Sequence, residues 1–158
     1  MSRKRCHRRT VPLMLPRGLR PKLDAGQRLD LALVHHVNLD AIATGTAPAS
    51  MVWDYIGGVF TWWRVAQLLG QGEPEMDQQL EVATRLVERY GRTGRVLFDG
   101  PDLQLARKGV VLMDDLAHIV DRPTAVMAAD WSEAEVARLA AVVTFEQARM
   151  RVAAEVCA

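Results

Sequence analysis

From Asp24 to the end of the chain, apolar side chains recur every three to four positions, and nowhere do they alternate with polar ones for more than a few residues. A period near 3.6 lines one face of an α-helix, whereas a half-buried strand needs a period of two. The pattern therefore predicts an all-α fold, a compact bundle of five to six helices over residues 23–158, with an extended basic arm over residues 1–22. The chain has 158 residues, 49% of them hydrophobic, which is enough for one core without disulfides or metal.

Local signals place the helices. Asp24 is a good N-cap, and the stripe Leu29, Leu33, Val37 with Leu31, Val34 and Ile42 runs out near Gly45. Pro48 suits the first turn of a second helix that ends near Gly70. Val52, Ile56, Val59, Trp63 and Ala66 form one of its faces, while Trp53, Tyr55, Phe60, Trp62 and Leu69 make the other directions apolar, so this helix needs neighbours on several sides. Gly57 and Gly58 inside it each cost about 1 kcal/mol against alanine, a loss that close approach by another helix would offset. After Gly72 and Pro74 a third helix opens with Glu73, Glu75 and Asp77 in its first turn, as a helix dipole prefers, and Gly91 is expected to stop it. Val96, Leu97 and Phe98 are too few for a sheet and read as an extended loop. Pro101 opens a fourth helix and Pro123 is expected to end it; a turn over residues 124–129 then leads to a capping box, Ser132 with Glu135, flanked by Trp131 and Val136 at the staple positions.

Charge divides the chain more sharply than its net +1 suggests. The eight cations before Asp24, namely Arg3, Lys4, Arg5, Arg8, Arg9, Arg17, Arg20 and Lys22, stand without an acid among them, while the remainder holds 12 basic and 19 acidic residues and carries −7. Such asymmetry marks a tail that meets an anion, so these eight are candidate contacts to nucleic acid or another polyanion. A basic run carries no base specificity, and a solvated tail, or one folded back over the acidic body, satisfies the same charges.

Catalytic constellations are missing. His35, His36 and Asp40, and Asp114, Asp115, His118 and Asp121, are the histidine-carboxylate groups, but a bundle di-metal site needs a Glu-x-x-His unit from each of two helices plus two glutamates, and only one Asp-x-x-His is present. No metal and no cofactor is expected. Cys6 and Cys157 lie at opposite ends, and Ser2, Ser50 and Ser132 are the only serines, none in a glycine-framed elbow. Gly91 to Arg95 follows a helix instead of leading into one, which fits a helix stop and not a phosphate loop. Val65 to Gly70 looks like the first helix and turn of a helix-turn-helix, but its second helix would offer Glu73, Glu75, Asp77 and Glu81 to a polyanion. The chain is therefore expected not to be an enzyme. Trp53, Trp62 and Trp63 are the candidate partner-binding residues, since a helix apolar all round can leave an aromatic patch uncovered.

Free thiols point to a reducing compartment. The apolar run Val11 to Leu15, bracketed by Pro12 and Pro16, is too short for a signal peptide, and Met51 to Gly70 contains Asp54, Arg64 and Gln67, which are costly in hydrocarbon. A cytoplasmic protein with no membrane span is the expectation.

Several stretches, Met1-Ser2-Arg3-Lys4-Arg5 with His7-Arg8-Arg9, Pro16-Arg17-Gly18-Leu19-Arg20-Pro21, Leu31-Ala32-Leu33-Val34-His35, Glu88 to Arg95, and Trp131-Ser132-Glu133, resemble a group of small proteins of bacterial prophages and other mobile elements. No activity is assigned to that group. The resemblance implies a cytoplasmic accessory protein that engages host or defence machinery. Together with the residues it leads to a non-catalytic helical protein-binding module; the alternative is a nucleic-acid-associated protein that uses the basic arm as a phosphate clamp.

Overall fold

Asp24 begins the first helix as its sequence context predicts: its carboxylate accepts from the Gln27 amide at 2.9 Å, and the Gln27 side chain accepts from the Asp24 amide at 3.1 Å. That reciprocal pair satisfies two of the amides a helix start leaves open. The computed structural model describes residues 19–156, with side chains through Ala141. It contains α1 (Ala25–Thr44), α2 (Met51–Leu69), α3 (Glu73–Thr93), α4 (Gly100–Ile119) and α5 (Arg122–Val156). No strand occurs among the described residues, where the one β-type contact is an isolated bridge between Lys22 and Asp121. The architecture is an all-α bundle.

Gly45 and Gly70 end α1 and α2 in the left-handed region, at φ 72° and 68°, where a side chain would be strained. The third helix runs past Gly91 and stops at Gly94, φ 65°, because Gly91 keeps helical angles and the left-handed turn falls three residues later. Val96 and Phe98 do lie in an extended loop, and both are buried.

Helix α5 departs most from expectation. No turn separates residues 124–129 from the rest, and the capping box at Ser132 does not form; the helix is continuous from Arg122. Its start is made by Asp121, whose carboxylate accepts from the Thr124 amide at 2.9 Å. Pro123 thus begins a helix, a position where its missing N–H has no partner to lose. Ser132 is buried in mid-helix, and its hydroxyl donates across to the Gly57 carbonyl of α2 at 2.7 Å.

The second helix is the hub. It packs against every other helix, α4 also packs against α1 and α3, and among the described residues α5 packs on α2 alone. Neighbours on all sides are what an all-round apolar helix requires. The interior is filled by Val52, Val59 and Val65 of α2 with Ile42, Met76, Leu86, Val110 and Met113 from its neighbours, all under 2% or at 2% exposed.

Candidate partner-binding surface

Three neighbours of α2 crowd to one side and leave α5 alone on the other, so a groove runs along each flank of α5. The groove between α5 and α3 is a cavity of about 380 Å³ whose apolar walls include Trp53, Phe60, Leu80 and Leu139. The groove between α5 and α1 is larger, about 530 Å³, floored by Gly57 and Thr61 of α2 and walled by Val34 on one side and Ala129 and Val136 on the other. Asp54 and Glu133 line it, and no cation among the described residues does. Asn38 also lines it; this side chain is buried, and its Nδ2 has no hydrogen-bond partner. A buried amide left unpaired costs about 1–3 kcal/mol, so its position next to a groove is informative.

The outer face of α1 carries a second feature. Leu29, Leu33 and Val37, expected to line the core, are 67%, 58% and 51% exposed, and it is Asn38, Leu39 and Ile42 that face inward. Successive turns of one helix thus present an unbroken apolar row to solvent. Exposed acids, Asp30 and Asp40, stand on the same helix.

Of the three tryptophans expected at a partner surface, Trp62 is corrected outright: it is 2% exposed and its indole N–H donates to His35 Nε2 at 2.6 Å. Burial offers an indole nowhere to go but a buried acceptor, and His35 supplies it. The imidazole sits over Gly58, where a Cβ would come within 2.7 Å of the ring, so Gly58 admits a side chain instead of a second backbone. Trp63 is half-buried, donates to Asp77 at 2.8 Å and stacks against Trp131 at 5.6 Å, with the Arg64 guanidinium over the Trp131 ring. That cluster holds α5 to α2. Trp53 is half-buried and lines both grooves.

The basic residues divide as well. Arg3, Lys4, Arg5, Arg8, Arg9 and Arg17 lie outside the described residues. Arg20 and Lys22, counted with the arm, belong to the body: Arg20 approaches Asp121 at 3.8 Å, Lys22 donates to the Ile119 carbonyl and bridges Asp121, and the Pro21 carbonyl accepts from the Arg122 amide at 2.8 Å. The backbone is therefore fixed against the α4–α5 junction from Arg20 onward.

His36 pairs with Asp114 of α4 at 3.0 Å and not with Asp40, and His118 contacts the Asp114 carbonyl at 2.8 Å. Among the described residues, no group of three or more histidines, cysteines and carboxylates could hold a metal ion. Nor is any described helix long and apolar enough to cross a membrane.

An ion-pair network between α3 and α4 is absent from the sequence expectations. Buried Asp102 accepts from Arg85 Nε at 2.8 Å and lies 3.4 Å from Arg89, which also holds Asp99 at 2.6 Å and the Leu97 carbonyl at 3.1 Å. The backbone N–H of Asp102 and the Arg89 charge hold the Asp99 carboxyl below its usual range, against some desolvation. Burial, with the Asp102 charge close by, pushes the Tyr55 phenol up, and its hydroxyl has no partner. The Asp-Gly-Pro-Asp spacing of residues 99–102 signals a helix start, but not that both carboxylates would meet arginines of the preceding helix. These contacts fasten the loop over residues 95–99 to the bundle.

Fold and surface together define a five-helix bundle that presents grooves and an apolar helix face. Comparison with protein families, characterised proteins and solved structures finds no match, so the functional reading rests on this chain's own geometry.

Proposed function

We propose that this chain is a non-catalytic helical binding module whose partner is a protein, docked on the outer face of α1. The observation that carries the reading is the row Leu29, Leu33 and Val37, more than half exposed on a helix that turns Asn38, Leu39 and Ile42 inward. Contiguous exposed leucine and valine on a folded surface are a feature of interaction sites. Asp30 and Asp40 beside the row, on a body whose sequence from Asp24 carries −7, suit an amphipathic helix with basic flanks. An accessory role against host or defence machinery is the process proposed for this chain, as expected from the sequence resemblance alone.

The experiment pairs the full chain with a Leu29→Asp/Leu33→Asp variant. Both positions are exposed, so the variant should fold with stability changed by no more than about 1 kcal/mol. A protein captured stoichiometrically by the first and lost by the second supports the reading; no capture, or equal capture by both, overturns it.

The charge division favours a second reading, in which Arg3, Lys4, Arg5, Arg8 and Arg9 clamp phosphates of a nucleic acid. Binding to duplex or single strands would then weaken steeply with salt and fail in an Arg8→Glu/Arg9→Glu variant. Salt-insensitive binding would exclude it.

A further inference from the structure

We propose that the groove between α1 and α5 is the seat of this chain's own residues 8–16, with Val11 to Leu15 along its floor and Arg8 and Arg9 beside Asp54. The inference goes beyond the partner reading and does not rest on it, because the outer row of α1 and this groove are different surfaces.

Position is the first argument. Pro21 is hydrogen-bonded to Arg122 at the start of α5, and Asp24 caps the start of α1. Pro21 and Lys22 therefore lie between the starts of the two helices that wall the groove, at the end where both begin. From Arg122 to Ala129, where the groove opens, is about 10 Å along the helix axis. Four extended residues, from Leu19 back to Leu15, span about 13 Å. Val11 to Leu15 covers the same extended length, about 13 Å, and the groove from Ala129 to Ala137 measures about 12 Å. Arg9 and Arg8 then fall beyond Ala137, toward the N-terminal end of α2, where Asp54 stands.

Chemistry is the second. The lining is mainly apolar and holds two carboxylates, Asp54 and Glu133, with no cation among the described residues, so a suitable occupant is apolar with positive charge at one end. Residues 8–16 read Arg-Arg-Thr-Val-Pro-Leu-Met-Leu-Pro. A third argument comes from the unpaired Nδ2 of Asn38, which needs an acceptor. Val11 and Leu15 each precede a proline and are restricted to extended backbone, which makes no internal hydrogen bonds and leaves its carbonyls open to a donor. An extended segment therefore offers Asn38 what a neighbouring helix, with its carbonyls already paired, does not.

The test uses the full chain on a Cys6→Ser/Cys157→Ser background, with a nitroxide on Thr10→Cys. Amide resonances of Asp54, Val136 and Ala137 should fall below half of their diamagnetic intensity, those of Lys108 and Val111 on α4 should keep theirs, and the pattern should not change on tenfold dilution. Asp54→Lys/Glu133→Lys, both exposed in the described structure, should restore the groove signals at least twofold. Undiminished groove signals, or losses spread equally over α4, would overturn the proposal. So would losses that fade on dilution, since the occupant would then be a second copy.

Discussion

His35 gives the most direct test of how α1 meets α2. Its Nε2 accepts from the Trp62 indole at 2.6 Å, so that nitrogen keeps its lone pair and the ring is neutral with the proton on Nδ1. Burial lowers its pKa from 6.5 to about 4; Asp114 opposes that pull, and His36 assists it. In the unfolded chain the ring titrates near 6.5, so between 6.5 and about 4 the unfolded state takes up a proton that the folded state refuses. The resulting stability is fully present above pH 6.5 and is lost as pH falls toward 4. Its full size is about 3 kcal/mol, of which about 2 kcal/mol is gone by pH 5. Urea unfolding at pH 7, 6 and 5 of the protein and of His35→Gln measures it, because glutamine keeps an acceptor for the indole but does not titrate. Other groups respond in both proteins, so the difference between them should change by about 2 kcal/mol in favour of the variant on going to pH 5. A difference that stays constant with pH would refute the buried neutral ring.

Three substitutions test the interfaces elsewhere. Gly109→Ala would put a Cβ 2.2 Å from the Gln79 amide and displace it from the Leu105 carbonyl; thermal unfolding should show a loss of about 2 kcal/mol despite the gain in helix propensity. Tyr55→Phe removes a buried hydroxyl that has no partner, and should melt at the same temperature or gain up to about 1 kcal/mol. Ser132→Ala should cost about 1 kcal/mol through loss of the bond to Gly57, with no loss of α5 helicity by circular dichroism because Ser132 is not a cap.

Where structure follows from a few adjacent residues, it was legible. The Asp24 cap, the glycines that end α1 and α2, and the acidic first turn of α3 all depend on groups within one turn of each other. Ser132 shows where that legibility ends. A serine three residues before a glutamate looks the same whether its hydroxyl turns back to its own backbone or crosses to another helix, and only the position of Gly57 decides. Leu29, Leu33 and Val37 make the same point for burial. Their spacing establishes an apolar helix face, but α1 has a second one through Leu31, Leu39 and Ile42, and the period cannot say which of the two finds a partner. Trp62 and Trp53 come from one aromatic helix, and the former was separable as core only once His35 was seen to reach its indole.

The grooves themselves follow from the composition of α2. Packed helices lie about 8–10 Å apart, so two neighbours set at right angles around a common helix are about 13 Å from each other. That is too far for their side chains to interdigitate. Here α4 touches both α1 and α3, which draws those three to one side of α2 and leaves wider gaps on either side of α5. Apolar side chains all round α2 call for four neighbours, but geometry does not let four neighbours close around one helix of this size. Gly57 and Thr61 deepen the floor on the α1 side, where a larger residue would fill it. The same property that makes α2 the hub of the core thus leaves acid-rimmed apolar channels on the surface. The residues that bear on function are therefore found at the margins of the helix that most resembles pure core.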